Sequence, residues 1–269
     1  MPEGHTLHRL ARELSTAFAG RPVHVTSPQG RFAAGAALVD GRVLDGVRSY
    51  GKHLFARFGA DTVHVHLGLY GNVTGGTGTP PPVRGALRMR WVADGPDGDR
   101  VWRDLRGPTA CEVLTRPEVT AILARLGPDP LRPRADGGRA HRRIAASRTA
   151  IGALLMDQTV LAGVGNVYRA ELLFRHGISP FRPGRGVDES LWAGMWADLV
   201  VLMRAGVRLG RIVTTRPEDR SRRRGPVSHE DAHYVYRRTG EPCRICGTEI
   251  RTEAMVGRNL YWCPSCQAA

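Results

Sequence analysis

The tail of this chain holds Cys243-Arg-Ile-Cys246 and, sixteen residues further on, Cys263-Pro-Ser-Cys266. Each Cys-x-x-Cys lets two sulfurs reach one ion. Two such knuckles at this separation match a four-thiolate, tetrahedral zinc site, and the intervening residues suit a β-hairpin. Four protein ligands leave no open coordination position, so the expectation is one structural zinc per chain. Two disulfides are the competing reading. Four of the five cysteines fall within the last 27 residues, and a cytosolic chain favours metal over a secreted disulfide framework. The fifth, Cys111, reads as a buried free thiol.

Lysine plus arginine exceed aspartate plus glutamate by 39 − 25 = 14. Such an excess points to a polyanion, most often nucleic acid, although an arginine-inflating genome would raise it too. Lys52 is the single lysine, a titratable point charge in a chain that otherwise uses the guanidinium fork. The sequence has no run of eighteen apolar residues and no apolar signal segment, so the expectation is a soluble, cytoplasmic protein without a membrane partner.

Along the chain, Leu7, Leu10, Leu14 and Phe18 repeat at helical spacing over residues 5–19, with Gly20 ending the run. Short strands follow at 23–25, 43–44, 53–58, 62–67, 87–92, 101–105 and 111–114. They are separated by turn clusters at Asp40-Gly41, 59–61 and 94–98. This pattern predicts an antiparallel sandwich or barrel. Gly75–Gly85 reads as a mobile loop, 117–126 as a helix and Arg132–Arg143 as a linker. Residues 144–205 read as helical, with one helix closing near Gln158 and with Trp192, Trp196 and Met203 as core. Thr214–Ser228, with five arginines, reads as a disordered or ligand-ordered loop. His64 and His66 share a strand face and read as a packed pair rather than as metal ligands.

Two further motifs carry chemistry. The chain opens Met1-Pro2-Glu3-Gly4. If Met1 is trimmed, Pro2 presents a secondary amine that can attack an electrophilic carbon and form an iminium. An α-amino group titrates near ~7.7–8.0, below lysine, so more of it is nucleophilic at neutral pH. Glu3 stands next to it as a proton donor or acceptor. In the second motif, Gly163-Val164-Gly165 predicts a tight turn with Asn166 capping the next helix, an arrangement suited to an anion.

Together, the Pro2-Glu3-Gly4 start, the Gly51-Lys52 strand, the Gly163–Asn166 turn and the four-cysteine tail resemble the formamidopyrimidine-DNA glycosylase / endonuclease VIII family. The likeness runs from residue 2 to about 267. It implies a multidomain α+β protein. Residues 1–118 would form an N-terminal antiparallel β-sandwich with flanking helices, 119–230 a helix–two-turn–helix domain and 231–269 a zinc-finger hairpin. It implies a base-excision-repair glycosylase with AP lyase activity, acting as a monomer on damaged DNA without a small-molecule cofactor. Pro2 would be the nucleophile, Glu3 the general acid/base and Lys52 the active-site lysine. Asn166 and Arg258 would grip phosphates, and Cys243, Cys246, Cys263 and Cys266 would hold Zn2+. Leu69-Tyr70 and the Pro2-Glu3-Gly4-His5-Thr6 opening resemble the bacterial endonuclease VIII branch, which implies a duplex wedge and a preference for oxidised pyrimidines. A purine-directed glycosylase and a non-catalytic zinc-containing DNA-binding protein are the alternatives. For Leu69 and Tyr70 the alternative is a strand-end core pair.

Overall fold

The structure is a computed structural model and describes residues 2–95 and 98–268. Met1 and, from the turn cluster at 94–98, Pro96 and Asp97 therefore lie outside the described residues. Contacts divide the chain into two compact units, Met1–Arg125 and Leu126–Ala269.

Unit 1 begins with α1 (Gly4–Phe18), whose Leu7, Leu10, Leu14 and Phe18 form the buried stripe that the spacing predicts. It continues through β1 (Pro22–Thr26), α2 (Ala33–Val39), β2 (Arg42–Val43), β3 (Gly46–Tyr50), β4 (His53–Phe58) and β5 (Asp61–His66). Then come β6 (Asn72–Thr77), β7 (Leu87–Asp94), β8 (Arg100–Arg106), β9 (Ala110–Leu114) and α3 (Arg116–Arg125). The strands form a five-stranded sheet, β2-β1-β7-β8-β6, and a four-stranded sheet, β3-β4-β5-β9. Neighbouring strands are antiparallel throughout. Alternate residues bury one face of each sheet: Met89, Trp91 and Ala93 from β7, and Leu54, Ala56, Val63 and Val65 from β4 and β5, enter one core with α1. Trp91 anchors it, with Phe18 and Phe58 edge-on at 5.6 and 6.0 Å. Such pairs contribute about 0.5–1.5 kcal/mol beyond burial.

Three elements escaped the sequence reading: α2, β3 and β6. The expected mobile loop at Gly75–Gly85 starts too early, because Gly75, Gly76 and Thr77 pair with Arg103, Trp102 and Val101 of β8. A Cβ at Gly75 would stand 2.2 Å from Arg103 Cδ. Glycine here lets the arginine stem lie across the strand, so the residue that looked like a loop signal marks a close approach.

Unit 2 contains α4 (Gly137–Ala145), α5 (Ile151–Leu154), α6 (Asn166–Arg175), α7 (Glu189–Leu209), β10 (Arg251–Met255) and β11 (Arg258–Trp262). Its largest apolar cluster joins Ala140, Ile144, Ile151, Tyr168 and Leu172 to Trp192, Met195, Leu199 and Met203. The Arg132–Arg143 linker reading is corrected, since α4 begins at Gly137 within it. The Asp136 side chain accepts from Gly138 N–H at 2.9 Å as its cap, and Ala140 and Ile144 are fully buried. The helix expected to close near Gln158 stops at Leu154. By length and composition α7 is apolar enough to cross a membrane. Instead it packs as the core helix of unit 2, with Asp198 paired to Arg175 at 2.7 Å and His176 at 3.3 Å. Burial works against the Asp198 carboxylate, but these hydrogen bonds and charges outweigh it and hold the group well below the usual range.

Thr214–Ser228 is not disordered in its first half. Thr214 and Thr215 are buried, and Ser221 N–H donates to Asp231 at 3.2 Å. Thr214 O–H and the backbone N–H groups of Tyr234, Val235 and Tyr236 all converge on the carboxylate of Glu171, which is completely buried on α6. Arg222, Arg223 and Arg224 are exposed.

Candidate functional site

Cys243, Cys246, Cys263 and Cys266 bring their four Sγ atoms within 4.8 Å of one another. Two cross-knuckle pairs stand at 3.4 Å, Cys246–Cys263, and 3.9 Å, Cys243–Cys266. Four soft donors at these separations suit a single tetrahedral ion with Zn–S bonds near ~2.3 Å. The cysteines hold one structural zinc. Backbone N–H groups of Ile245 and Cys266 point at Cys243 and Cys263 sulfurs, at 3.5 and 3.4 Å, as expected around thiolates. Hairpin β10–β11 links the knuckles, with Met255 paired to Arg258 across the Val256-Gly257 tip. Arg258 is half-buried and donates to the Gly257 carbonyl at 2.8 Å.

The glycine turn differs from expectation in one respect. Gly165, not Asn166, occupies the N-cap of α6. Asn166 is the first helical residue, buried, and its side chain is used elsewhere. Its amide donates to the Asn259 carbonyl at 2.9 Å, and its carbonyl oxygen accepts from the buried Arg169 guanidinium. Arg169 also donates to the Met255 carbonyl at 3.3 Å. The helix start is thereby fastened to both sides of the zinc-hairpin tip. Gln158 braces the turn from below, accepting from Gly163 N–H at 3.0 Å and donating to the Val164 carbonyl at 2.9 Å.

In unit 1, Pro2 is half-buried and Glu3 is 0% exposed at the N-cap of α1. A fully buried carboxylate at the second residue of a described segment is rare for a start peptide. It lies where the positive helix end favours negative charge. His5, two residues on, is pushed down to about 4 by burial and by the positive amino terminus. Helix α1 packs on β3 and β4. Lys52 lies in the two-residue turn between those strands, between Tyr50 and His53, and not within a strand as read from the sequence. It is half-buried, and its charge helps hold His53 and His66 neutral.

Leu69 and Tyr70 occupy the turn after β5. They are exposed, Tyr70 at 88% and Leu69 at 38%, so the strand-end core alternative is excluded. The turn is built by Gly68. Its φ of +67° suits glycine, and a Cβ there would fall 1.8 Å from Thr109 Oγ1.

The sequence reading missed one cluster. His64 belongs to a row with His53 and Glu112, linked by hydrogen bonds of 2.9 Å each. The signal was present in the two-residue spacing of His53-Phe55 and His64-His66, which lays them on one sheet face. Cys111 is half-buried, not buried, with its thiol pushed up to about 12 by burial.

Models of three domain families match this chain. They are the formamidopyrimidine-DNA glycosylase N-terminal domain over residues 1–111, the H2TH domain of the same glycosylases over 126–218, and the zinc finger found in FPG and IleRS over 240–269. Endonuclease 8 1 of Mycobacterium tuberculosis is 54% identical over 99% of this chain and 100% of its own length. DNA-(apurinic or apyrimidinic site) lyase Nei2 of Mycolicibacterium smegmatis is 36% identical over the whole of both chains. Among solved structures, a complex between the Lactococcus lactis Fpg and abasic-site DNA superposes with a TM-score of 0.78 at 21% identity, covering 99% of this chain and 100% of that one. That likeness establishes the fold.

Proposed function

The chain belongs to the formamidopyrimidine-DNA glycosylase / endonuclease VIII family and is a base-excision-repair DNA glycosylase and AP lyase, and from that premise we propose that Pro2, freed by removal of Met1, is its nucleophile and oxidised pyrimidines its preferred lesions. A damaged base within a duplex is out of reach and is flipped out. Leu69 and Tyr70 fill the gap it leaves and kink the duplex. The Pro2 nitrogen attacks C1′ of the deoxyribose while Glu3 protonates the opening sugar ring. The base departs, and an iminium joins Pro2 to C1′. Loss of a proton from C2′ expels the 3′ phosphate, and a second elimination expels the 5′ phosphate. Lys52 supplies positive charge near phosphate and the developing oxyanion. Its repulsion also disfavours protonation of the Pro2 amine. Arg258 grips one phosphate, and Asn166 grips another when DNA draws its amide away from the Asn259 carbonyl. When bound, zinc supplies structure to the hairpin that carries Arg258. The enzyme works as a monomer in the bacterial cytoplasm, on the nucleoid when bound to DNA.

The observation that carries the mechanism is Glu3, buried to 0% exposure beside Pro2 at the start of α1. The pyrimidine preference draws its support from the exposed Leu69-Tyr70 turn and from the 54% identity to an endonuclease 8. Borohydride trapping on abasic-site DNA tests the nucleophile. The Met1-trimmed protein should crosslink, and a retained or added N-terminal residue should abolish crosslinking. Efficient trapping by protein whose Met1 is present by intact mass refutes the assignment. Excision of oxidised guanine opposite cytosine faster than every oxidised pyrimidine would overturn the substrate preference alone.

A further inference from the structure

The four-stranded sheet has a second face. Its core side carries Leu54, Ala56, Val63 and Val65. Antiparallel register sets two cross-strand rows on the opposite side. One is Arg48, Phe55, His64 and Glu112; the other is Tyr50, His53, His66 and Ala110. His64 is 4% exposed and Phe55 8%, stacked at 5.1 Å between ring centroids. The His53 ring stacks on His64 at 5.2 Å and tilts against His66 at 5.0 Å. Hydrogen bonds then run diagonally across three strands. His53 Nδ1 meets His64 Nε2 at 2.9 Å, and His64 Nδ1 meets Glu112 Oε1 at 2.9 Å. The Glu112 side chain is half-exposed, whereas His64 is buried. A continuous chain therefore runs from water at β9 to the residue that follows Lys52.

The chemistry of the two ends sets the protons between them. An ionised carboxylate only accepts, so His64 Nδ1 carries a hydrogen and donates it to Glu112. In the neutral ring His64 Nε2 is then a lone pair. His53 must donate to it from Nδ1, which leaves His53 Nε2 as a lone pair. The charged groups on the elements around the rows are Arg48 on β3, Lys52 in the turn, Arg57 on β4, paired with Asp45 at 3.1 Å, Arg125 at the end of α3, and Glu112 itself. Burial, then the neighbouring His64 and His66, then Arg125 and Lys52, hold His53 down to about 3, so it stays neutral throughout the working range.

We propose that Glu112 and His64 are positioning residues that fix His53 in the Nδ1-protonated form, so that its Nε2 is an acceptor at the Lys52 end of the row. A lone pair there can take one N–H of the Lys52 ammonium and aim the others, whereas an N–H at that atom would face the cation with a like-signed dipole. The proton on His53 is thus decided three strands away. No proton crosses the row during turnover, and its role is orientation. The consequence for catalysis rests on Lys52 serving the elimination step as proposed above, but the tautomers themselves do not.

Two measurements test this. Long-range 1H–15N correlation of the full-length zinc-loaded protein, assigned with His53→Asn and His64→Asn, reads each tautomer directly. We expect both rings protonated on Nδ1 at pH 7, and His53 redistributed between tautomers in Glu112→Ala. His53 protonated on Nε2, or either ring protonated on both nitrogens, would overturn the proposal whatever the enzyme's activity. The second is single-turnover nicking of abasic-site DNA followed across pH. Glu112→Ala should lower the rate about tenfold, the kinetic weight of one oriented hydrogen bond, while borohydride trapping continues. Glu112→Gln, whose carbonyl can still accept from His64, should restore it. Equal losses in Ala and Gln would assign the row to charge or proton transfer and overturn the positioning role. An unchanged Ala variant would also overturn the positioning role, by showing that the row does not affect the rate. Loss of trapping in wild type would instead refute the Pro2 mechanism and leave the tautomer result standing.

Discussion

Asn166 and Arg258 are both expected to grip DNA, yet the structure links Asn166 to the hairpin that bears Arg258. The Asn166 amide donates to Asn259 and its oxygen accepts from Arg169, which reaches Met255. Asn166→Ala removes one neutral and one charge-assisted hydrogen bond. At ~0.5–1.5 and ~1.5–3 kcal/mol respectively, the tip loses about 2–4.5 kcal/mol of its attachment to α6. If that attachment positions Arg258, the variant loses the Arg258 phosphate contact as well as its own. A double-mutant cycle isolates this term. Fluorescence anisotropy with a duplex bearing an abasic-site analogue, at one fixed salt concentration, gives the four dissociation constants. In the wild-type background Arg258→Ala should weaken binding about tenfold to a hundredfold, the range of a charge-assisted contact. In the Asn166→Ala background the same change should cost less than about threefold, because the contact is already gone. Equal losses in both backgrounds would refute the coupling. The two residues would then contact DNA independently, with the hydrogen bonds to Asn259 and Arg169 irrelevant to binding.

Other outcomes follow from the same network of contacts. Cys263→Ser should lose the metal, measured as zinc per chain, and with it DNA affinity, while the far-ultraviolet signal of the unit 1 sheets persists; a metal-free yet fully binding protein would contradict the structural role. Glu171→Ala strands three N–H groups, those of buried Tyr234 and Val235 and half-buried Tyr236, at up to ~1–3 kcal/mol each. Glu171→Gln strands about one, because Thr214 can accept from the new amide and redirect its hydroxyl to the Ala232 carbonyl, 3.1 Å away. Urea unfolding should therefore rank Ala well below Gln, and the reverse order would refute this account. His5 and His53 have folded pKa values near 4 and 3, below the unfolded value near ~6.5. Their contribution is fully present above pH ~6.5 and is lost as pH falls toward those values. Melting temperature should drop through that window, and His53→Asn should flatten part of the drop. Tyr70→Ala should slow excision from duplex more than from single strands, since only a duplex leaves a gap to fill; equal slowing would remove Tyr70 from that role.

Features governed by local chemistry could be read from the sequence. The amphipathic stripe of α1, the short apolar runs of β4, β5 and β8, the alternation of β7 and the paired knuckles each rest on residues along one segment, and the structure agrees with them. Features resting on partners distant in sequence were obscured. Gly75 and Gly76 resemble a loop until Arg103 and Trp102 lie over them. The Arg, Pro and Gly of 132–143 conceal α4, whose buried Ala140 and Ile144 find their partners on α5, α6 and α7. Asn166 satisfied the rules for a cap, yet a carbonyl 93 residues away claims its amide. The His53–His64–Glu112 row was half-visible as a histidine pair, but its carboxylate lies 48 residues beyond His64.

The four-stranded sheet carries apolar side chains on one face and the imidazole rows on the other, so its strands have no blank side. Inserting or deleting a single residue in β4 or β5 would turn Leu54, Val63 and Val65 outward and drive histidines into the core. Length variation among relatives should therefore be purged from these strands. The exposed connection at 78–86 between β6 and β7 has no such constraint. There, indels can accumulate without disturbing the register that brings Glu112 to His64.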